Sequence, residues 1–111
     1  MMQINKTAYI RDKRLRVMCE ALPCQHCGSY AGSTWAHSNQ ARHGKGKGIK
    51  ASDVYVAALC GACHHDLDQG RTLTRSERAL RWDEAHKRTV DQAQRMGLWP
   101  AGIELPEGNR A

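Results

Sequence analysis

Two cysteine pairs constrain this chain more than any other sequence feature. Cys24 and Cys27 form one C-x-x-C pair, and Cys60 and Cys63 form a second one. A C-x-x-C turn presents two thiolates to the same point, and four thiolates complete the tetrahedral shell of a structural zinc ion. We therefore predict a single zinc site that joins two segments separated by 32 residues of chain.

The second pair, taken alone, is compatible with two other chemistries. It is followed directly by His64, and C-x-x-C-H is the signature of c-type haem attachment, while C-x-x-C can also be a redox dithiol. The chain starts without an apolar stretch ahead of its charges, so we predict no secretory signal peptide and expect a cytoplasmic protein with reduced thiols. This expectation disfavours haem and disulfides, and Cys19, the fifth cysteine, is expected to lie in the core.

The length of 111 residues favours one small domain, whose modest core would gain from a bound metal ion. The longest apolar run, residues 54–60, is too short to cross a membrane, so we expect no membrane association. We divide the domain into a basic arm and helix (1–22), a zinc-knuckle core (23–70), a C-terminal helix (71–97) and a tail (98–111).

Local patterns predict the elements of a small, zinc-stapled α+β domain. Apolar spacing indicates a helix over 13–22, and mixed β-favouring residues indicate a β-hairpin around 29–37. Residues 54–59 favour a short strand, although their alanines would also allow a helix. A further helix is expected to start just after Cys63. The longest helix is predicted over 75–96, where a T-x-x-E capping box precedes an apolar stripe at helical spacing.

The net charge of +6 is distributed unevenly along the chain. Residues 1–52 hold nine Lys or Arg and two acids, giving +7, whereas residues 53–111 hold eight Lys or Arg and nine acids, giving −1. A basic half indicates a polyanionic partner, with nucleic acid as the first candidate. A glycine-rich loop in this half carries the residues that we predict to contact the DNA backbone: Arg42, His43, Lys45, Lys47 and Lys50.

Histidines and a carboxylate near the cysteine pairs indicate a second, catalytic metal site. On a helix, Asp68 lies on the same face as His64, and an imidazole with a carboxylate can hold a harder divalent ion such as Mg²⁺ or Mn²⁺. His37 lies between the two pairs, and a histidine that titrates near neutral pH can take a proton from water. We therefore predict that His37 faces a catalytic ion held by His64 and Asp68.

The order of these motifs resembles a known family. The runs "PCQHCG", "AH" and "SDVYVAALCGACH" are similar to the HNH, or ββα-metal, nuclease motif, over about residues 23–70. The longer run from "AHSN" to "LCGACHHDLDQG" is similar to small phage and prophage nucleases of the YbcO-like kind. The resemblance implies a treble-clef-like ββα-metal core with flanking helices, in a DNA endonuclease that acts in phage recombination or DNA processing. It also implies a phage or prophage protein in the cytoplasm of a bacterial host.

The resemblance implies a role for three residues of this chain. His37 matches the general base that activates water, and His64 matches the metal-binding last histidine of the motif. Asp53 falls near the middle Asn of the motif, which steadies the active-site loop in the family.

The chain departs from the family pattern at two positions. Most HNH proteins have a metal-binding Asp directly before the first histidine, where this chain has Ala36, and the middle residue is Asp53 rather than Asn. We hypothesise that Asp68 supplies the missing carboxylate, with Asp53 or His65 in reserve. The alternative is a non-catalytic zinc module that binds nucleic acid, and Ala36 is the main argument for it.

Overall fold

Across residues 9–30, 32–46 and 48–106, which the computed structural model describes, the chain forms three α-helices, one turn of 3-10 helix (Ala41–His43) and a two-stranded sheet. This is the α+β fold class that the sequence predicts. Predictions for Lys47, for residues 1–8 of the arm and for residues 107–111 of the tail lie outside the described residues. The elements, in chain order, are α1 (Arg14–Glu20), β1 (Ser33–His37), β2 (Val56–Cys60), α2 (Gly61–Gln69) and α3 (Arg75–Arg95).

The sheet joins two strands that lie far apart in the chain. β1 pairs antiparallel with β2, with Ser33 opposite Cys60 and His37 opposite Val56. The predicted hairpin around 29–37 is therefore wrong, because only its second half is a strand and the partner follows the glycine-rich loop. Every residue of β2 is buried, so this predicted strand lies in the core, and β1 pairs with it there.

Helix α1 covers one side of the sheet. Leu15, Met18 and Cys19 are buried on one face, as the apolar spacing predicted, and the helix packs against both strands. Just before the helix, the Asp12 carboxylate accepts a hydrogen bond from the backbone N–H of Arg14 at 2.9 Å. This bond satisfies one of the N–H groups that the first turn of a helix leaves without a partner.

Helix α2 starts earlier than predicted. The sequence suggested a start just after Cys63, whereas the helix begins at Gly61, with Cys60 as its extended N-cap residue. The change from strand to helix therefore falls inside the second cysteine pair. As a result, Cys60 ends the sheet and Cys63 lies in the first turn of the helix.

Helix α3 begins and ends at the predicted signals. Both hydrogen bonds of the capping box between Thr74 and Glu77 are present, and Gly97 follows the helix with a φ of +68°. The buried face of α3 consists of Trp82, Ala85, His86, Thr89, Val90 and Ala93.

No helix in the described part of the chain is both long enough and apolar enough to cross a lipid bilayer.

Side chains of α3 bond to the outer edge of β2. The Thr89 hydroxyl accepts the backbone N–H of Ala58 at 2.9 Å, and the His86 Nδ1 bonds to the Val56 carbonyl at 2.8 Å. From the first cysteine turn, the N–H of Gln25 donates to the Ala58 carbonyl at 2.8 Å. Backbone groups that an edge strand would otherwise expose are thereby paired inside the protein.

Replacing Thr89 with valine tests this edge contact. Thr89→Val keeps the shape of the side chain but leaves the buried N–H of Ala58 without its acceptor, so we expect a loss of about 1–3 kcal/mol in the free energy of unfolding. Urea unfolding would measure it as a lower midpoint with an unchanged slope. The exposed Thr72 provides the control, because Thr72→Val should leave the midpoint nearly unchanged; equal effects from both variants would contradict the assignment.

Candidate functional site

The four paired cysteines form one cluster. Their sulfur atoms all lie within 4.8 Å of one another, and the Sγ atoms of Cys27 and Cys60 are 3.7 Å apart. Zinc–sulfur bonds of about 2.3 Å in a tetrahedron place neighbouring sulfurs about 3.8 Å apart, so the cluster matches the size of such a shell. The four thiols can therefore hold a structural metal ion such as zinc, as the spacing predicted.

The thiols of the cluster differ in acidity. Burial and contacts with the neighbouring thiols raise the pKa of Cys63, whereas the pKa of Cys24 is lowered towards the thiolate form that a metal ligand requires. Burial by itself would raise the pKa of this thiol, but hydrogen bonds from the backbone N–H groups of Cys27, Cys60 and His26 outweigh it and lower the pKa to about 6. Cys19, by contrast, is fully buried outside the cluster, and burial raises the pKa of its thiol. It is a core residue, as expected.

His64 follows the cluster directly and is held by β1. Its Nδ1 lies 2.8 Å from the Thr34 hydroxyl, which also lies 2.9 Å from the Leu59 carbonyl. The hydroxyl has a single hydrogen, so it donates either to the carbonyl, while accepting from a protonated Nδ1, or to the lone pair of an unprotonated Nδ1. In the first arrangement Nε2 is left to bind a cation, which is how metal-binding histidines are commonly held.

Asp68 faces that second nitrogen of His64. The two residues are four apart on α2, and the distance from His64 Nε2 to Asp68 Oδ2 is 3.1 Å. The other carboxylate oxygen accepts a hydrogen bond from the Asn39 side-chain amide at 3.0 Å. The two tautomers of the neutral ring differ here: with its hydrogen on Nε2 the ring donates to Asp68, and with its hydrogen on Nδ1 it leaves Nε2 and Asp68 Oδ2 able to share a bound cation.

His37 forms a second pair, with Asp53. Its Nε2 is 2.8 Å from Asp53 Oδ1, and the Asp53 side chain is almost fully buried. The same carboxylate accepts the backbone N–H of Asp12 at 2.8 Å and lies 3.4 Å from the Arg11 guanidinium. Asp53 therefore joins the start of the described chain to the end of β1 and orients the imidazole of His37.

The pairing with Asp53 determines which nitrogen of His37 can act as a base. The carboxylate accepts the Nε2 hydrogen, so Nδ1 of the neutral ring keeps its lone pair. Burial lowers the pKa of His37 below its usual 6.5, and the hydrogen bond to Asp53 only partly offsets this. The ring is thus in its proton-accepting form at neutral pH.

The two histidine pairs meet at one cleft without touching directly. Alternation along β1 turns Thr34 and His37 to opposite faces of the strand, so His64 and His37 lie on different sides of it. A cleft of about 570 Å³ at the end of β1 is bordered by both His37 and Asp68. The expected direct opposition of His37 and His64 is therefore replaced by two separate pairs around a shared cavity.

The structure also accounts for the position that lacks a carboxylate. Ala36 is 1% exposed, and its carbonyl accepts the indole N–H of Trp82 at 2.9 Å, so this position belongs to the core. Of the candidates for the missing carboxylate, Asp68 contacts His64, whereas Asp53 is bonded to His37. His65, the other reserve ligand, is exposed on α2.

The predicted DNA-contacting loop contains one buried residue and one residue that is already paired. The ring of His43 is buried and stacked on Tyr55 with centroids 4.3 Å apart, so it does not suit contact with a phosphate. Arg42 is exposed, but its Nη2 contacts both carboxylate oxygens of Asp83, each at 3.0 Å. Lys45 is partly exposed and Lys50 is exposed, while Lys47 lies outside the described residues.

Three residues around the histidines were not predicted from the sequence. Thr34 contacts His64, Asn39 donates to Asp68, and Arg11 lies against Asp53. The motif "AHSN" places Asn39 two residues after His37, which is a weak signal for a role near the site. The other two contacts depend on chain pairings that local sequence does not reveal.

Comparison of the chain with protein-family models, with curated proteins and with solved structures found no match in any of the three.

Metal content tests the cysteine cluster. We expect about one metal ion per chain by elemental analysis, and we expect Cys24→Ser to lose the ion and to unfold more easily, because binding stabilises the folded form. Cys19→Ala is the matched control, since it removes a buried thiol outside the cluster and should keep the ion. Metal-free protein with full stability, or loss of metal in both variants, would contradict the site.

The pH dependence of stability tests the buried position of His43. Burial, with Arg42 nearby, lowers the pKa of His43 to about 4. Below about pH 6.5 the unfolded chain binds a proton on His43, whereas the buried ring of the folded chain binds one only near pH 4. The free energy of unfolding is therefore highest above pH 6.5 and falls as the pH drops towards 4. Between pH 7.5 and 5.5 this costs roughly 1 kcal/mol.

The comparison uses urea unfolding of the parent protein and His43→Asn at both pH values. The variant should lose less stability on acidification, by about that amount. An identical loss in the two proteins would show that His43 is not buried as a neutral ring.

Proposed function

We propose that this protein is a metal-dependent endonuclease that hydrolyses phosphodiester bonds in DNA. The observation that carries the proposal is the pairing of His64 Nε2 with Asp68 Oδ2 at 3.1 Å, which offers a nitrogen and a carboxylate oxygen to one cation, beside a cleft that His37 also borders. The order of residues that resembles the HNH motif agrees with this arrangement of a base and a metal pair.

In this proposal the four cysteines hold structural zinc. The zinc fixes the end of β2 and the first turn of α2, and His64 is the residue that follows the last cysteine. The stapled segment from the first cysteine turn through α2 would then be the treble-clef-like ββα-metal core, with α1 and α3 as flanking helices.

The proposed reaction starts with His37. Its Nδ1 takes a proton from a water molecule, while Asp53 holds Nε2 and stabilises the imidazolium that forms. The water oxygen attacks phosphorus, and the bond from phosphorus to the 3′ oxygen breaks. His64 and Asp68 would hold a divalent ion, Mg²⁺ or Mn²⁺, which when bound neutralises negative charge on the phosphate and the leaving oxygen.

DNA is the proposed partner because the half of the chain that contributes His37 to this site carries a charge of +7. Lys45 and Lys50 are exposed or partly exposed cations of the glycine-rich loop, and phosphate contacts of this kind give affinity and salt dependence without reading sequence. A role in phage recombination or DNA processing, in a bacterial host cytoplasm, follows from the family resemblance.

A second candidate function is a zinc-containing module that binds nucleic acid without cutting it. The burial of Ala36 favours it, because the position that carries a metal-binding Asp in most HNH proteins is here part of the core. The two functions share the cysteine cluster and the basic surface, and they differ only in chemistry at the cleft.

Plasmid nicking in the presence of Mg²⁺ or Mn²⁺ separates the two functions. We expect the parent protein to cut, and we expect His37→Ala to lower the rate by about 10²–10⁴-fold, because it removes the general base. His64→Ala and Asp68→Asn should also lose the metal-dependent cutting.

The exposed His26, which lies in the first cysteine turn, provides the control: His26→Ala should cut at the parent rate. If the parent protein binds DNA but cuts it with neither ion, the nuclease proposal is wrong and the non-catalytic binding module is the better account. Cutting by His37→Ala at the parent rate would remove His37 from the mechanism.

A further inference from the structure

Two arginines on α3 border the same cleft as the histidine pairs. Arg75 and Arg78 are three residues apart, so they lie on one face of the helix, and both line the cavity together with Ser76. Ala79 and Trp82 continue this lining further along α3. The cleft therefore has a wall of two cations that no sequence motif identified.

The guanidinium groups of these two arginines, like those of Arg71 and Arg81, have no partner among the described residues. Five arginines make ion pairs with carboxylates: Arg11, Arg14, Arg16, Arg42 and Arg95. Within residues 9–30, 32–46 and 48–106, the guanidinium groups of Arg75 and Arg78 make no ion pair and no hydrogen bond. Their donors are therefore available to a ligand.

The cleft does not neutralise these charges by itself. Asp68 is the one carboxylate among the residues that line it, and its two oxygens face His64 and Asn39. Two guanidinium groups thus outweigh one carboxylate, and a divalent ion at His64 and Asp68 would make the cavity more positive still. A site of this charge selects an anion.

We propose that Arg75 and Arg78 bind a backbone phosphate of the nucleic acid and hold the strand in the cleft. The planar fork of a guanidinium matches two phosphate oxygens at once. A cavity of about 570 Å³ is in the range of sites that hold one small ligand, so it takes a phosphate with its sugars, while a duplex would lie across its mouth. That the ligand is nucleic acid rests on the proposed function, whereas the two arginines and the cavity are observed directly in the structure.

This proposal moves the main phosphate contact away from the glycine-rich loop. Arg42 of that loop would have to leave Asp83 to reach a phosphate, and His43 would have to leave the core. Arg75 and Arg78 need no such rearrangement, and they border the cavity where His37 would act. Phosphate binding and chemistry would then share one cleft.

The test measures binding of labelled single-stranded and duplex oligonucleotides by fluorescence anisotropy across a range of NaCl concentrations, with no divalent ion added. Losing two phosphate contacts should lower the slope of log affinity against log salt by about 1.4 for a single strand and about 1.8 for a duplex. We expect this for Arg75→Ala/Arg78→Ala, with affinity reduced by more than about tenfold at low salt.

The matched control is Lys87→Ala/Arg95→Ala, which removes two positive charges from exposed positions of the same helix that do not line the cleft. Its slope should stay close to that of the parent. Arg75→Lys/Arg78→Lys keeps both charges, so it should recover most of the salt slope. Because Arg75 is exposed, Arg75→Ala alone gives a folded variant in which half of the change is expected.

Equal changes in the cleft and control variants would overturn the phosphate site, because they would show a general effect of net charge. The nuclease proposal fails separately. Parent protein that never cuts DNA, with a salt slope that still depends on Arg75 and Arg78, would leave the phosphate site standing without an enzyme. If the protein cuts DNA but the cleft and control variants show the same salt slope, the nuclease proposal stands and the phosphate site is excluded.

Discussion

The four-cysteine cluster is the contact on which the rest of this small domain depends. It joins a turn that follows α1 to the place where β2 becomes α2, and these segments are far apart in the chain. A single cluster thereby sets the end of the sheet, the start of a helix and the position of His64, which follows Cys63 directly. A domain of this size buries a limited core, so a metal ion bound by the four thiols would contribute stability that packing alone supplies only in larger proteins.

In both histidine pairs Nε2 faces a carboxylate, and the rings differ in what surrounds them. The buried carboxylate of Asp53 takes the Nε2 hydrogen of His37, which leaves a lone pair on Nδ1. His64 instead lies between the Thr34 hydroxyl at its Nδ1 and the exposed Asp68 at its Nε2. Neighbouring residues, more than the histidines themselves, determine this difference.

The parts of the fold and site that could be predicted from the sequence are those encoded by short-range spacing. Two of these features join residues within four positions of each other: the capping box at Thr74 and the contact between His64 and Asp68. The third is the set of cysteine pairs, whose ligand chemistry is fixed by their spacing. The partner of β1 could not be predicted, because alternation identifies a strand without identifying its neighbour. The bond from His37 to Asp53 depends on that pairing and on the Arg11 segment, and the burial of His43 depends on aromatic residues from two other elements.

The bonds from α3 and the first cysteine turn to β2 also limit how this protein can meet other chains. A two-stranded sheet normally has two open edges, and an open edge can recruit a further strand from a partner or from another copy. Here the groups of Val56 and Ala58 that would offer such pairing are bonded to His86, Thr89 and Gln25. Strand addition is therefore blocked along this side, which protects the domain from edge-to-edge aggregation and from β-type peptide recognition there.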